Sequence, residues 1–240
     1  MKLALIGYGK MGKEIEKICL VRKHEILFKF DLNNKSDFII ENLKKCDVAI
    51  EFSQPDSAFS NYMTCFEAGV PVVTGTTGWL ERLPEIKKMC AENKKTFFYA
   101  SNFSIGVNLF FEMNKKLAQM MNSTSGYDIE MTEIHHTEKK DTPSGTAITL
   151  AEGIIENFKT KTSWSKEIAA NNSEIAIKSL REHQVTGTHI IKYESDVDLI
   201  EIKHLAKNRV GFATGAIFAA EFVQNKIGFY GMSDLLNFAN

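Results

Sequence analysis

The sequence predicts an α/β protein in two parts. The first is an N-terminal Rossmann-like, doubly wound parallel sheet, and the second a smaller α+β domain with a mixed or antiparallel sheet. Three observations carry this. A strand, a Gly-rich turn, a helix, a second strand and an acid follow one another at the N-terminus. Short apolar strands then alternate with helical segments of about a dozen residues, the rhythm of a parallel sheet. After Ser104 that rhythm gives way to one long helix and to strongly alternating segments.

Lys2 to Ile6 reads as a short buried strand, and Gly7-Tyr8-Gly9-Lys10-Met11-Gly12 follows at once. Lys13 to Val21 places Ile15, Ile18 and Cys19 on one helical face, and a second strand, Glu25 to Phe30, ends at Asp31. Asp31 lies 19 residues beyond Gly12. That is close to the ~20 expected between the last glycine of a dinucleotide fingerprint and its ribose-binding acid. In such a fingerprint the first glycine allows a tight turn, the second lets backbone approach a pyrophosphate, and the third lets helix pack on strand. Gly7 to Gly12 and Asp31 are therefore expected to contact a dinucleotide.

The alternation continues with a strand at Asp47 to Phe52, a helix at Pro55 to Ala68 and a strand at Val70 to Thr74. A helix at Glu81 to Asn93 and a strand at Thr96 to Ala100 follow. Ligands of such sheets bind beyond the C-terminal strand ends. Three loops fall there: Phe52-Ser53-Gln54-Pro55, Gly75-Thr76-Thr77-Gly78 and Ala100-Ser101-Asn102-Phe103-Ser104. Each alone is an ordinary turn. Together they are expected to line one crevice, which adds Gly75, Thr76, Thr77, Ala100, Ser101, Asn102 and Phe103 to the cofactor contacts.

Gly106 to Met121 reads as a long helix with Leu109, Phe110, Met113, Leu117 and Met120 as its buried stripe. Tyr127 to Ile134 alternates as a half-buried strand does, and Ala147 to Ile155 has helical spacing. Lys159 to Asn172 is polar and poorly periodic, expected to be a mobile surface segment, and Ser173 to Arg181 fits strand or helix. Thr188 to Glu194 and Asp198 to His204 read as antiparallel strands joined by Ser195-Asp196-Val197. Val210 to Val223, rich in Gly and Ala, is expected to pack back on the first domain together with Gly231 to Leu236. The expected organisation is a discontinuous dinucleotide domain, 1–103 plus 211–240, around an inserted domain, 104–210, for substrate binding, catalysis and oligomerisation.

A net charge of −1 argues against nucleic acid or an anionic membrane as main partner, and leaves room for a local basic pocket that takes a small-molecule anion. The N-terminal apolar run stops at Gly7, too short for a signal peptide, and no stretch is long enough to span a bilayer. Cys19, Cys46, Cys65 and Cys90 lie far apart, as reduced structural thiols of a cytoplasmic protein do.

The densest chemistry lies between the Tyr127 strand and the Ala147 helix: Glu-Ile-His-His-Thr-Glu-Lys-Lys-Asp-Thr-Pro-Ser-Gly-Thr-Ala, from Glu133 to Ala147. Singly, His135 and His136 read as solvated loop residues, Lys139 and Lys140 as a surface pair, and Asp141 to Gly145 as a turn and helix cap. Jointly, proton donors at His135 and Lys139 stand beside the helix-start amides of Ser144, Gly145 and Thr146, a seat for a carboxylate. Such a loop holds and protonates an anionic substrate. Two His with no third ligand at metal spacing argue against a metal site. No Gly-x-Ser-x-Gly elbow is present, and His183, His189 and His204 stand singly and read as structural.

The segment Glu-x-His-His-x-x-Lys-x-Asp-x-Pro-Ser-Gly-Thr-Ala resembles, without a gap, the signature of the 4-hydroxy-tetrahydrodipicolinate reductase (dihydrodipicolinate reductase) family. Gly7 to Gly12, Gly75 to Gly78, Ala100 to Ser104 and Phe212 to Ala216 are similar to that family's cofactor, nicotinamide-side, Asn-Phe-Ser and return segments. The resemblance implies that His135 is the proton donor or relay and Lys139 a general acid, while His136, Gly145 and Thr146 bind the substrate's carboxylates. It further implies hydride transfer from NADH or NADPH to a cyclic unsaturated dicarboxylate, giving tetrahydrodipicolinate for diaminopimelate and lysine, by a homotetramer built through the second sheet. The chain departs by being short through Lys159 to Gly187. It also has Leu32, Asn33 and Asn34 after Asp31, where relatives that hold a 2′-phosphate carry a basic residue; Lys35 is the nearest cation. The alternatives are a two-domain dehydrogenase of another small substrate and a non-catalytic dinucleotide sensor.

Overall fold

The chain opens as β1 (Lys2–Ile6), α1 (Lys10–Val21), β2 (Glu25–Phe30), a short α2 (Ile40–Leu43), β3 (Val48–Glu51), α3 (Pro55–Ala68), β4 (Val72–Thr74), α4 (Leu83–Glu92) and β5 (Thr96–Tyr99). It continues through α5 (Ile105–Met121), β6 (Asp128–His135), α6 (Gly145–Ile155), β7 (Ser163–Lys166), β8 (Glu174–Arg181), β9 (Gly187–Glu194) and β10 (Leu199–Ala206). It closes with α7 (Val210–Val223), β11 (Gly228–Tyr230) and α8 (Met232–Leu236). The computed structural model describes residues 1–124 and 126–238. Two units emerge: Met1–Ile105 with the segment from Arg209 on, and Gly106–Asn208.

In the first unit six parallel strands run in the order β2-β1-β3-β4-β5-β11. The chain steps from β1 outward to β2 and then back across to β3, so the loops after β1 and β3 part and leave a crevice between them. One face of the sheet buries Leu5, Ile50 and Phe98 against Ala213, Ile217 and Ala220 of α7. The other buries Ala49 and Val72 against Tyr62, Phe66 and Trp79. The small residues of α7 have a use here: a Cβ at Gly215 would stand 1.8 Å from the Phe103 carbonyl oxygen. Strand β11 carries no sequence signal, because three residues are too few to show a period. All four cysteines are free and buried. Burial pushes the thiols up, to about 11 at Cys46 and Cys90.

The second unit is a mixed sheet, β10-β9-β6-β8-β7. Strand β6 runs parallel to β8 and antiparallel to β9. Ile129, Met131, Ile175, Ile177, Ile191 and Tyr193 face Phe110, Phe111, Leu150 and Ile154 of the helices. The expected stripe on α5 is corrected: Leu109, Met113 and Met120 are 51%, 52% and 70% exposed. The buried face is Val107, Phe110, Phe111, Asn114 and Ala118, one residue's rotation away. Asn114 belongs in it because its amide donates to Leu150 O at 3.0 Å. Both faces carry apolar residues at helical spacing, so periodicity alone does not choose between them. The polar Lys159 to Asn172 segment is also corrected. It contains β7, and Lys161 is buried within it, donating to the carbonyls of Asn172 and Glu174 at 2.9 Å and pairing with Asp128. Ser173 to Arg181 resolves as strand β8. Among the described residues no helix is long and apolar enough to cross a membrane.

Candidate active site

Beyond β1, β2 and β3 of the first unit, Gly7, Tyr8, Gly9, Asp31, Ser53 and Gln54 help line a cavity of about 650 Å³. Three glycines of the turn are small for different reasons. Gly7 has φ +90°, and a Cβ there would meet Phe52 O at 2.1 Å. A Cβ on Gly12 would meet Gly7 O at 2.4 Å. Gly9 has no protein atom within 4 Å of its Cβ direction. The protein's own packing requires the first two glycines but not Gly9. A pyrophosphate seated closely against the backbone does require it. Helix α1 also begins without a side-chain cap, a helix start suited to phosphate. Asp31 accepts from Asn33 N at 2.7 Å and donates its own N–H to Asn34 Oδ1 at 2.8 Å, which fixes it at the end of β2. Lys35 lines the same cavity. These residues fit an adenine dinucleotide with its ribose at Asp31.

The other expected contacts are not among those lining this cavity. Lys10 opens α1, Met11 packs on the core beside it and Gly12 is buried. A Cβ at Gly75 would meet the Phe52 ring at 2.2 Å. Thr76 is buried and accepts from Ser53 N at 3.0 Å, while Thr77 is exposed. Ala100 is buried, Ser101 exposed, and Asn102 Oδ1 accepts from Ser104 N at 2.9 Å. Phe103 is buried against Phe52 and Phe98. A residue the sequence reading missed underlies two of these loops. Glu51, fully buried, accepts from Thr74 Oγ1 at 2.6 Å and from Ser53 N at 3.1 Å. Its only signal is a carboxylate ending an apolar strand.

In the second unit Glu133 and His135 stand two apart on β6 and so share the helix-covered face. Register brings His189 of β9 opposite Glu133 and Arg181 of β8 opposite His135. Glu133 is fully buried. Both of its oxygens accept from Ser144 N at 3.1 Å, with His135 Nδ1 at 3.4 Å, Arg181 Nη1 at 3.5 Å and His189 Nε2 at 3.9 Å. Burial opposes its ionisation, yet the His135 and Ser144 side chains beside it outweigh that and hold the carboxyl at about 2. Burial, reinforced by His135, lowers His189 to about 3, so it is neutral at pH 7. Lys139 Nζ pairs with Asp141 at 2.9 Å. Arg181 clamps the loop between them, donating to Asp141 O at 2.7 Å and Thr142 Oγ1 at 2.6 Å. Ser144 caps α6 by accepting from Ala147 N at 3.2 Å, so Gly145 and Thr146 form the first turn of that helix. His136 follows His135 at the strand end.

Two sequence expectations change here. His189 does not stand singly: register sets it opposite Glu133, with Nε2 3.9 Å from the carboxylate. The missing third ligand is also present, because Glu133, His135 and His189 bring ligand atoms within 4.8 Å of one another. The Arg181 guanidinium beside Glu133 and the amide already donating to both carboxylate oxygens make this donor set better suited to hydrogen bonding than to a cation. Arg181 itself was missed, since a single Arg at a strand end carries no signal.

Residues 1–103 match the family model described as dihydrodipicolinate reductase, N-terminus, and residues 106–236 match the one described as its C-terminus. The chain belongs to the dihydrodipicolinate reductase family. A 4-hydroxy-tetrahydrodipicolinate reductase of Christiangramia forsetii is 48% identical over 99% of this chain and 98% of its own. One from Thermosipho africanus is 34% identical over 98% of each. Among solved structures, a dipicolinate-bound dihydrodipicolinate reductase from Paenisporosarcina sp. TG-14 aligns with TM-score 0.79 and 25% identity over 98% of each chain.

Proposed function

We propose that the chain transfers a hydride from NADH or NADPH to 4-hydroxy-tetrahydrodipicolinate, giving tetrahydrodipicolinate for diaminopimelate and lysine synthesis in the cytoplasm. The observation that carries this reading is the β6 site, where His135 lies beside an ionised, buried carboxylate at the head of a loop bearing Lys139 and the start of α6. Reduced nicotinamide, when bound, supplies the hydride. The remaining work falls to side chains of this chain. Reduction of an unsaturated carbon leaves negative charge that must be met by a proton, and His135 and Lys139 are the donors we assign. His136, with the amides and hydroxyl of Gly145 and Thr146, takes the two carboxylates of the substrate, the helix start favouring anions.

Asp31 would hold the ribose, its carboxylate accepting from the hydroxyls of NADH and repelling the 2′-phosphate of NADPH. Lys35, in the same cavity, offsets part of that repulsion. We therefore infer that NADH is favoured or that the two are used comparably. Leu180, Leu199 and Leu205 are exposed on the sheet face turned away from α5 and α6, and a homotetramer assembled through that face would cover them.

The test follows nicotinamide absorbance with enzymatically generated 4-hydroxy-tetrahydrodipicolinate, using each cofactor in turn. Turnover with this substrate, and not with keto acids or imines, is expected. Cofactor binding without turnover would leave a sensor, and a clear NADPH preference would overturn the reading of Asp31.

A further inference from the structure

Glu133 has no part in the proton transfer or substrate binding assigned above, yet it is the group on which that site converges. It is fully buried, and four groups from three strands and a helix start meet it. We propose that Glu133 is the positioning residue of this site, one carboxylate that holds the His135 ring, the Arg181 loop clamp and the first turn of α6 in a single assembly. The proposal rests on the reading of His135 as proton donor.

Three observations support it. First, both carboxylate oxygens accept from Ser144 N, so the start of the substrate seat is fastened to Glu133 and not only to its own helix. Second, Arg181 lies 3.5 Å from Glu133 and donates to Asp141 O and Thr142 Oγ1, which links the carboxylate to the loop carrying Lys139. Third, His135 stands with Nδ1 3.4 Å from Glu133 Oε2, while a Cβ at Gly187 would lie 3.1 Å from His135 Nε2. The ring thus has the buried carboxylate close along one edge, in contact without hydrogen-bond geometry, and room on the other. Imidazoles oriented by a buried carboxylate keep one tautomer and one direction for proton delivery.

The charged and titratable groups facing His135 are Glu133 on its own strand, Arg181 opposite it on β8 and His189 on β9. Of these only Glu133 is an anion. Its removal takes away the one negative charge beside the ring.

The experiment compares Glu133→Gln, which removes the charge and keeps the shape, with Glu133→Asp, which keeps the charge and shortens the reach. Readouts are kcat, the pH profile of kcat/KM, and dipicolinate affinity by calorimetry. For Glu133→Gln the expected result is a kcat loss of about tenfold to a hundredfold, within the range for disturbed acid–base catalysis. The basic limb of the profile moves to lower pH, and dipicolinate binding weakens. Glu133→Asp should lose kcat and dipicolinate affinity while its basic limb stays near the wild-type pH. A purely structural role predicts a lower melting temperature with kcat, profile and affinity unchanged in the folded fraction, and that result in either variant overturns the proposal. Should Glu133→Gln fail to fold, Glu133→Asp decides by the same readouts. Should His135→Gln prove kinetically silent, the donor reading fails on its own, and dipicolinate affinity still reports whether Glu133 builds the seat.

Discussion

Two carboxylates, one in each unit, are fully buried at or near strand ends, and their surroundings differ in kind. Glu51 is met by hydroxyls and an amide: Thr74 Oγ1 at 2.6 Å, Ser53 N at 3.1 Å and Tyr62 OH at 3.4 Å. Glu133 is met by an amide, a guanidinium and two imidazoles. Neutral hydrogen bonds fasten loops without changing charge, which suits a unit that has only to hold a dinucleotide still. Imidazole and guanidinium around a carboxylate couple position to protonation, which suits a unit that delivers a proton. If the proposed roles hold, the first unit binds the dinucleotide and the second carries the proton chemistry, and mutations should separate along that line.

The largest effect should come from the second unit. His135→Gln and Lys139→Met should each lower kcat by about 10²–10⁴-fold, the usual contribution of a general acid. Lys139→Met should lose at least as much as the other, because it also removes a cation facing a dicarboxylate. NADH affinity, measured by fluorescence titration, should stay near wild type in both. Wild-type kcat in both variants would end the assignment of this loop as the catalytic centre. Weakened NADH binding would break the division between the units.

Within the first unit, two glycines of one turn should fail differently. Gly7→Ala puts a Cβ 2.1 Å from Phe52 O at a positive φ, and should destabilise the fold by about 3 kcal/mol or more. Gly9→Ala meets nothing within 4 Å, so its stability should lie within about 0.5 kcal/mol of wild type. Its NADH dissociation constant should nonetheless rise about tenfold or more, about 1.4 kcal/mol of binding. Urea unfolding and calorimetry read the two effects. Equal NADH affinity in Gly9→Ala would remove the argument that its openness serves a ligand.

Much of this was legible in the sequence, for physical reasons that vary by residue. The Gly7 to Gly12 turn announces itself because backbone geometry restricts the residue type at fixed spacing. The Glu133 to Ala147 loop does so because its donors are adjacent in the chain. His189 and Arg181 were illegible because their roles come from register: a β-ladder sets them opposite Glu133 and His135 across more than forty residues of chain. The α5 stripe misled because Leu109 and Phe110 sit on neighbouring faces, and only contact with the sheet selects one. Lys161 looked like surface because nothing local shows that two carbonyls and Asp128 await it.

Acid should sharpen the comparison, since His189 and Glu133, the acid-range groups moved furthest, both lie in the second unit. Burial lowers His189 to about 3 from an ordinary 6.5, and Glu133 is held at about 2 against 4.5. In both cases the unfolded chain takes up the proton more readily, so the stability these groups confer is full above pH 6.5 and 4.5 respectively and is lost on acidification. His189 alone should produce a slope of roughly 1 kcal/mol per pH unit below pH 6.5, with Glu133 adding to it below about pH 4.5. In His189→Gln the upper part of that slope should disappear. Urea unfolding of both proteins between about pH 6.5 and pH 5 measures the difference. Identical slopes would mean that His189 titrates normally in the fold.

The smallest effect belongs to Thr146, and it tests whether binding and proton delivery are separable even within the second unit. If its hydroxyl and amide hold a substrate carboxylate, that contact exists in the ground state as well as in the transition state, because the carboxylate takes no part in the chemistry. Uniform binding of this kind lowers KM without raising kcat. Thr146→Val keeps the shape and removes one hydroxyl, worth about 0.5–1.5 kcal/mol, so KM for the substrate should rise by roughly twofold to tenfold. Meanwhile kcat should stay within about twofold, and the pH profile should not move. Steady-state kinetics at saturating NADH decides the point. A fall in kcat matching that of His135→Gln, with KM unchanged, would instead put Thr146 among the groups acting on the transition state, and the carboxylate seat would have to be built from other residues.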